Sequence, residues 1–239
     1  MSVSLNSDMG ESFGIHSFGH DEAILPLVDT VNVACGFHAG DPVGIHETVT
    51  RAAAAGVTVG AHPGLPDAVG FGRREMKLTA EEVRDIVLYQ VGALHGFLDA
   101  EGVALHHIKP HGSLYGMVGR DEELMDAVCD VAVQYGVPVF GMAGTAHERV
   151  AARRGVGFVA EFYVDLAYRA DGGLIILRRP KATPPDLAAE RARVAITQGI
   201  THADSGERLD VRVESICVHS DTPNAPDVAA AVRGVLQSV

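Results

Sequence analysis

Val31-Asn32-Val33-Ala34-Cys35-Gly36-Phe37-His38-Ala39-Gly40-Asp41-Pro42 is the stretch on which the reading of this chain turns. Its first four residues are short and rich in β-branched side chains, as a buried parallel strand requires. Gly36 breaks the run, His38 and Asp41 follow at the strand's exit, and Pro42 is placed to open a helix with Asp41 as its N-cap. Asn32 is a polar residue inside the apolar run, where an unsatisfied amide costs on the order of a few kcal/mol. A strand with one polar intrusion that exits into a His and an Asp reads as part of a site; a stability core has no need of it.

Working outward, the same alternation of short apolar runs and longer amphipathic ones continues. Strands are expected at Val3–Leu5, Thr30–Ala34, Val57–Ala61, His106–Lys109, Val139–Gly141, Phe158–Glu161 and Ser215–Val218. Helices are expected at Asp21–Val28, Pro42–Ala55, Thr79–Ala100, Asp121–Tyr135, Ala146–Arg154, Asp186–Gly199 and Pro226–Ser238. Thr79-Ala80-Glu81-Glu82 is a capping box, and Gly56, Gly102 and Gly136 close helices. Seven strands interleaved with helices predict an α/β fold, a (β/α) barrel of seven or eight strands occupying residues 1–239 as one domain. An open doubly wound sheet is the rival, because strand count alone does not close a barrel. Around residues 163–185 the alternation lapses into a Gly/Pro/Arg-rich insertion, read as a lid or hairpin.

The 239 residues are 47% hydrophobic but only 5% aromatic, with no Trp, which suits an Ala/Val/Gly-rich α/β protein. A formal charge of −12 argues against nucleic acid or an anionic membrane surface as partner, though not against a small anionic substrate. The N-terminus lacks a basic region followed by an apolar run, and no stretch approaches the roughly 20 apolar residues that span a bilayer. Three widely spaced cysteines, Cys35, Cys129 and Cys217, read as reduced core thiols of a cytoplasmic protein.

In a (β/α) barrel the carboxyl ends of the strands gather on one face and build the active site. Here strand after strand exits into titratable groups: Asn6, Asp8 and Glu11, then His38 and Asp41, then His62 and Asp67. Lys109 and His111 follow, then Glu161 and Asp165, and finally His219 and Asp221. Asn6 and Asp8 alternate along their strand and so share a face, as do Lys109 and His111. A lone His at a strand end is more often structural than catalytic, but six strands doing this together reverse that expectation. Gly60-Ala61-His62-Pro63-Gly64 and Lys109-Pro110-His111-Gly112 also admit a bland reading as turns. Phe71-Gly72-Arg73-Arg74 looks like a loop that offers a guanidinium to a carboxylate. His106 and His107 read as surface or packing residues, and His16, His20, His46, His95, His147 and His202 are left outside the site.

Six motifs then appear in order. They are Leu5-Asn6-Ser7-Asp8-Met9-Gly10-Glu11, Asn32 to Pro42, Gly60 to Gly64, Gly70-Phe71-Gly72-Arg73-Arg74, Lys109-Pro110-His111-Gly112-Ser113-Leu114-Tyr115 and Ile216-Cys217-Val218-His219-Ser220-Asp221-Thr222-Pro223. Together they resemble the LamB/YcsF family, which supplies the A subunit of the prokaryotic ATP-dependent 5-oxoprolinase, across essentially the whole chain. The resemblance implies an irregular seven-stranded (β/α) barrel similar to the polysaccharide-deacetylase-like superfamily. It also implies a cytoplasmic complex with B and C subunits that cleaves 5-oxo-L-proline to L-glutamate with hydrolysis of ATP. Two positions depart from the family's pattern. Leu166 stands where the family usually carries Arg, which leaves any anion contact there to Arg169, and Ser220 stands where it usually carries Gly.

Opening a five-membered lactam requires attack on a poorly electrophilic amide carbonyl, which ATP can activate by phosphorylating the lactam oxygen. Asp8, His62 and His111 are candidate bases for water, and Lys109 a candidate for stabilising developing charge, with Glu161 beside them. Asn6, Glu11, Asn32, His38, Asp41, Arg73, Asp165, His219 and Asp221 are candidates for holding substrate, with the Arg73 guanidinium clamping the substrate's carboxylate. The chain has no G-x-x-x-x-G-K-[ST] and no G-x-G-x-x-G after a strand, so ATP is expected either to bind through a non-standard site here or to be held mostly by a partner. Two other readings stay open: a divalent-metal hydrolase or deacetylase with Asp8, His38 and His62 as ligands, and a ligand-binding protein without turnover.

Overall fold

A computed structural model of the chain describes residues 3–177 and 179–239. Seven parallel strands form a barrel: β1 (Ser4–Met9), β2 (Thr30–Ala34), β3 (Thr58–His62), β4 (Leu105–Ile108), β5 (Val139–Gly141), β6 (Phe158–Tyr163) and β11 (Ser215–Cys217). Around the closed barrel their order is β1-β11-β6-β5-β4-β3-β2. Closure is made where β1 pairs with β11 on one side and β2 on the other, with Asn6 opposite both Cys217 and Thr30. The rival open sheet is thereby excluded.

Helices α1 (Asp21–Ile24), α2 (Pro42–Ala55), α3 (Ala80–Glu101), α4 (Gly112–Arg120), α5 (Glu122–Tyr135), α6 (Ala146–Arg154), α7 (Pro185–Gln198) and α8 (Ala225–Leu236) accompany the strands. The start of α2 follows the sequence: the Asp41 carboxylate accepts from the N–H groups of Val43 and Gly44, and Pro42 occupies the first turn. The predicted capping box of Thr79 and Glu82 opens α3. Helix α1 is shorter than expected, because the chain tightens to a 3-10 turn at Leu25–Leu27 around Pro26.

Three features depart from the sequence expectation. Strand β1 runs on through Asn6, Ser7 and Asp8, because each polar side chain finds partners inside the barrel. Asn6 donates to Ser215 Oγ at 2.7 Å, and Ser7 Oγ donates to Val218 O at 2.6 Å. Helix α4 has no counterpart in the sequence reading, since Gly112, Gly116 and Gly119 make the segment a poor helix former. Burial of Leu114, Tyr115 and Val118 holds it instead, and a Cβ at Gly119 would sit 3.1 Å from the His147 ring. Finally, the β6-to-β11 crossover carries, besides the hairpin of β7 (Ala167–Tyr168) with β8 (Leu174–Ile175) in the insertion read as a lid or hairpin, a second antiparallel hairpin that the sequence reading lacks, β9 (Ile200–His202) with β10 (Arg208–Asp210). Among the described residues no helix is long and apolar enough to cross a membrane.

Candidate active site

The strand ends that the sequence singled out converge on the carboxyl face of the barrel. Asp8, Lys109, Glu161 and Cys217 meet at its centre, all buried. Lys109 Nζ lies 2.9 Å from Asp8 Oδ1, 2.9 Å from Glu161 Oε1 and 3.0 Å from Cys217 Sγ. Burial pulls the ammonium's pKa down, but Asp8 foremost, with Cys217 and Glu161, holds it well above the usual lysine value. Burial pushes the Asp8 carboxyl up, yet His62 and Lys109 outweigh it and keep Asp8 well below the usual carboxylate range. Lys109 is therefore a cation and Asp8 an anion across the neutral range. Tyr163 Oη donates to Glu161 Oε2 at 2.6 Å and fixes the second carboxylate.

Beneath this layer the polar intrusion of β2 finds its reason. Asn32 donates to Asn6 Oδ1 and to Asp8 Oδ1, each at 2.8 Å. Its own carbonyl oxygen lies 2.6 Å from His107 Nε2, which donates to it. Of the two readings of His107, packing holds and surface does not: it points into the barrel, completes the asparagine's bonding and stacks on Phe140 with ring centroids 3.8 Å apart. Burial pushes its pKa well down, so it donates as a neutral ring. Gly60 makes this possible, since a Cβ there would collide with the imidazole of His107.

Beside Asp8 stands a histidine cluster. His62 Nδ1 lies 2.7 Å from Lys109 O, and His111 Nε2 lies 2.9 Å from Phe71 O. Carbonyls only accept, so both ring nitrogens carry hydrogen. Phe71 presents that carbonyl from a left-handed backbone, φ 56°, a conformation that costs a non-glycine residue energy and is retained at sites where it places a group. The remaining nitrogens, His62 Nε2 and His111 Nδ1, face one another at 2.9 Å. His62 Nε2 is also 3.3 Å from Asp8 Oδ2. His38 stacks on His111, with centroids 3.7 Å apart and planes within 4°, and its Nε2 lies 3.3 Å from Glu11 Oε1. Donor atoms of Glu11, His38, His62 and His111 all lie within 4.8 Å of one another, whereas Asp8 gathers with Cys217 and His219. The metal ligands expected from sequence, Asp8, His38 and His62, are thus divided between two clusters, with Glu11 and His111 joining the histidines.

A cavity of about 280 Å³ opens above these groups. Asp8, His62, Lys109, His111, Tyr163, Asp165, His219 and Asp221 face it from the barrel, and Leu166, Ile175, Leu177 and Arg191 from the crossover. His219 Nδ1 is 3.1 Å from Asp165 Oδ1. Burial alone would lower its pKa, but Asp165 and Asp8 lift it to about 8. Arg73 reaches the cavity yet is engaged: it pairs with Asp221 at 2.9 Å and donates to Leu177 O at 3.0 Å. Asp41 lies outside the cavity lining, with its oxygens accepting from the N–H groups of Val43, Gly44 and Gly14. Arg169, the expected replacement for the guanidinium missing at Leu166, points to Asp171 and Leu174 O and does not line the cavity. Arg191 does line it, from α7, and donates to Val164 O at 2.9 Å. No motif marks Arg191 in sequence, because only the crossover's path brings α7 over the barrel mouth. Tyr163 is a further site residue outside the sequence reading; its place two residues after Glu161 puts it on the same face of β6 and is the available signal.

A parallel (β/α) barrel with a buried carboxylate–lysine–carboxylate centre and histidines at its mouth has the form of a hydrolytic enzyme's site. The chain belongs to the LamB/YcsF family, whose model matches residues 3–239. The A subunit of 5-oxoprolinase from Thermus thermophilus is 48% identical over 99% of this chain and 96% of its own. The lactam utilization protein lamB of Emericella nidulans is 47% identical over 97% of this chain and 93% of its own. The crystal structure of the lactam utilization protein from Thermus thermophilus superposes with a TM-score of 0.90 at 46% identity, covering 100% of this chain and 97% of that one.

Proposed function

We propose that this chain is the A subunit of an ATP-dependent 5-oxoprolinase and, with B and C subunits, opens 5-oxo-L-proline to L-glutamate. The observation that carries the reading is the near-half identity, end to end, with relatives named for 5-oxoprolinase and for lactam use. The site is consistent with it. A lactam carbonyl carbon attacked by water gains a C–O bond while charge builds on the carbonyl or phosphoryl oxygen. Lys109, kept cationic by Asp8 and Glu161, stands ready to stabilise that charge in a site shielded from water. Asp8 lies at the cavity floor and takes the attacking water's proton, with His62 beside it. The C–N bond then breaks and the ring nitrogen leaves with a proton, for which protonated His219 is the nearby donor; with the lactam oxygen phosphorylated by ATP this yields an acyl phosphate, which a second water hydrolyses to glutamate and phosphate. Arg73 and Arg191 supply positive charge toward the substrate carboxylate or a phosphoryl group. ATP is a co-substrate in this reading, and the lack of a P-loop motif supports its being held largely by partner subunits or in a non-standard site.

Co-purification with the B and C subunits, followed by measurement of glutamate formed from 5-oxoproline, tests this reading. The complex is expected to release glutamate only with ATP, and the isolated chain to release none. A complex that forms stably and consumes ATP without releasing glutamate means that the substrate is another.

A further inference from the structure

We infer that Glu11, His62 and His111 form a site for one divalent transition-metal ion, with an open coordination position toward the cavity. The inference concerns what the site holds and does not depend on which lactam is cleaved.

The bonding of the two imidazoles leads to it. His62 and His111 each donate one ring N–H to a backbone carbonyl, Lys109 O and Phe71 O. Their remaining nitrogens, His62 Nε2 and His111 Nδ1, face one another across 2.9 Å with Glu11 beside them, a convergence of donor atoms that a metal ion bridges. An imidazole whose second nitrogen is bound to a carbonyl is how proteins orient metal-ligating histidines. Glu11 Oε1 completes the triangle at 3.6 Å from His111 Nδ1. Ligands on a tetrahedral ion at roughly 2.0–2.2 Å stand roughly 3.4 Å apart, so separations from 2.9 Å up to the cluster's 4.8 Å limit bracket that edge.

Charge points the same way. Asp8, Glu11, Glu161, Asp165 and Asp221 bring five carboxyl groups, with side chains at most 4% exposed, to the same face as Lys109, Arg73 and His219. Among the described ion pairs Glu11 is matched with His38 and His111 and with no Lys or Arg. Two imidazoles and a carboxylate favour zinc, iron or manganese over magnesium or calcium.

His38 belongs to the wall and is not a ligand. Its ring lies parallel to that of His111, within 4° and 3.7 Å centroid to centroid. An ion in the plane of His111 is therefore about a stacking distance from the plane of His38, well beyond a metal–nitrogen bond of roughly 2.0–2.1 Å. A Cβ at Gly72 would lie 2.8 Å from His38 Cβ and 2.9 Å from His111 Cδ2, so the glycine lets the pair stack.

The test uses the full chain, stripped with chelator, dialysed against Zn²⁺ or Mn²⁺ and analysed by elemental mass spectrometry, with Co²⁺ absorption as a second readout. The expected result is about one ion per chain, a melting temperature raised by several degrees and visible Co²⁺ d–d bands. His111→Ala and the near-isosteric Glu11→Gln should each cut occupancy at least tenfold, while His38→Gln keeps it within about twofold. No ion above background in the parent chain, with its fold verified by circular dichroism, overturns the inference and leaves a shared proton between His62 and His111. Loss of the ion in His38→Gln equal to that in His111→Ala overturns the three-ligand assignment. Metal content is read without substrate, so failure here is separate from failure of the lactam reading.

Discussion

Asp8 and Lys109, 101 residues apart in sequence, meet in the barrel centre with Oδ1 and Nζ separated by 2.9 Å. Both are buried, and the same ammonium holds Glu161 at 2.9 Å. Removing one member of such a group leaves charge without compensation in a medium that solvates it poorly.

Lys109→Met should therefore destabilise the chain by about 3–5 kcal/mol, the range for breaking a buried ion pair. Urea unfolding checks this at pH 7. A midpoint unchanged from the parent would show that Asp8 and Glu161 find other partners or protonate at little cost.

Asp8→Asn keeps the shape of the side chain but removes the charge that partners Lys109 and His62. Turnover in the reconstituted complex should fall about a hundredfold or more, the scale of a lost general base. Melting temperature serves as the control. Activity within a few-fold of the parent removes Asp8 from the chemistry.

Arg73→Ala breaks the pairing with Asp221 and the bond to Leu177 O on the crossover. Because this contact shapes binding more than the reacting bond, KM for 5-oxoproline should rise more than kcat falls. Steady-state kinetics separates the two; a collapsed kcat at constant KM assigns Arg73 to the chemical step.

His219, lifted to about 8 by Asp165 and Asp8 against burial, gives a pH signature. Relative to an unfolded value of about 6.5, its contribution to stability is fully present below about pH 6.5 and is lost as pH rises through about 8. Binding of an anionic substrate should weaken over the same window. His219→Gln should flatten that limb of the KM–pH profile, and a limb that persists unchanged belongs to another group.

Gly60→Ala places a methyl group where the His107 ring stands and should cost about 1–3 kcal/mol as an overpacking change. Turnover should also fall, because Asn32 loses the donor that orients it toward Asp8. Thermal unfolding alongside the assay checks both effects; a neutral substitution would mean that His107 can move without disturbing Asn32.

Local sequence was enough for the strand–helix alternation, the caps at Asp41 and Thr79, and the strand ends that carry Asp8, His62, Lys109, His111, Glu161 and His219. Hydrophobic periodicity and side chains that satisfy nearby backbone groups set these features within a few residues. Asn32 also stands out in the sequence, because a buried amide must have partners, but those partners come from two other strands. Barrel closure, helix α4 and the inward turn of His107 depended on tertiary contacts that override weak local preference. Asp41, which the motif also places in the site, serves as the helix cap that local sequence predicts and lies outside the cavity lining. Which imidazole nitrogen donates to which carbonyl, and which ring nitrogens meet, was decided by the fold alone. Such pairings depend on side chains brought from distant strands to within about 3 Å, the reach of a hydrogen bond, and no spacing along the chain encodes an angle between two rings.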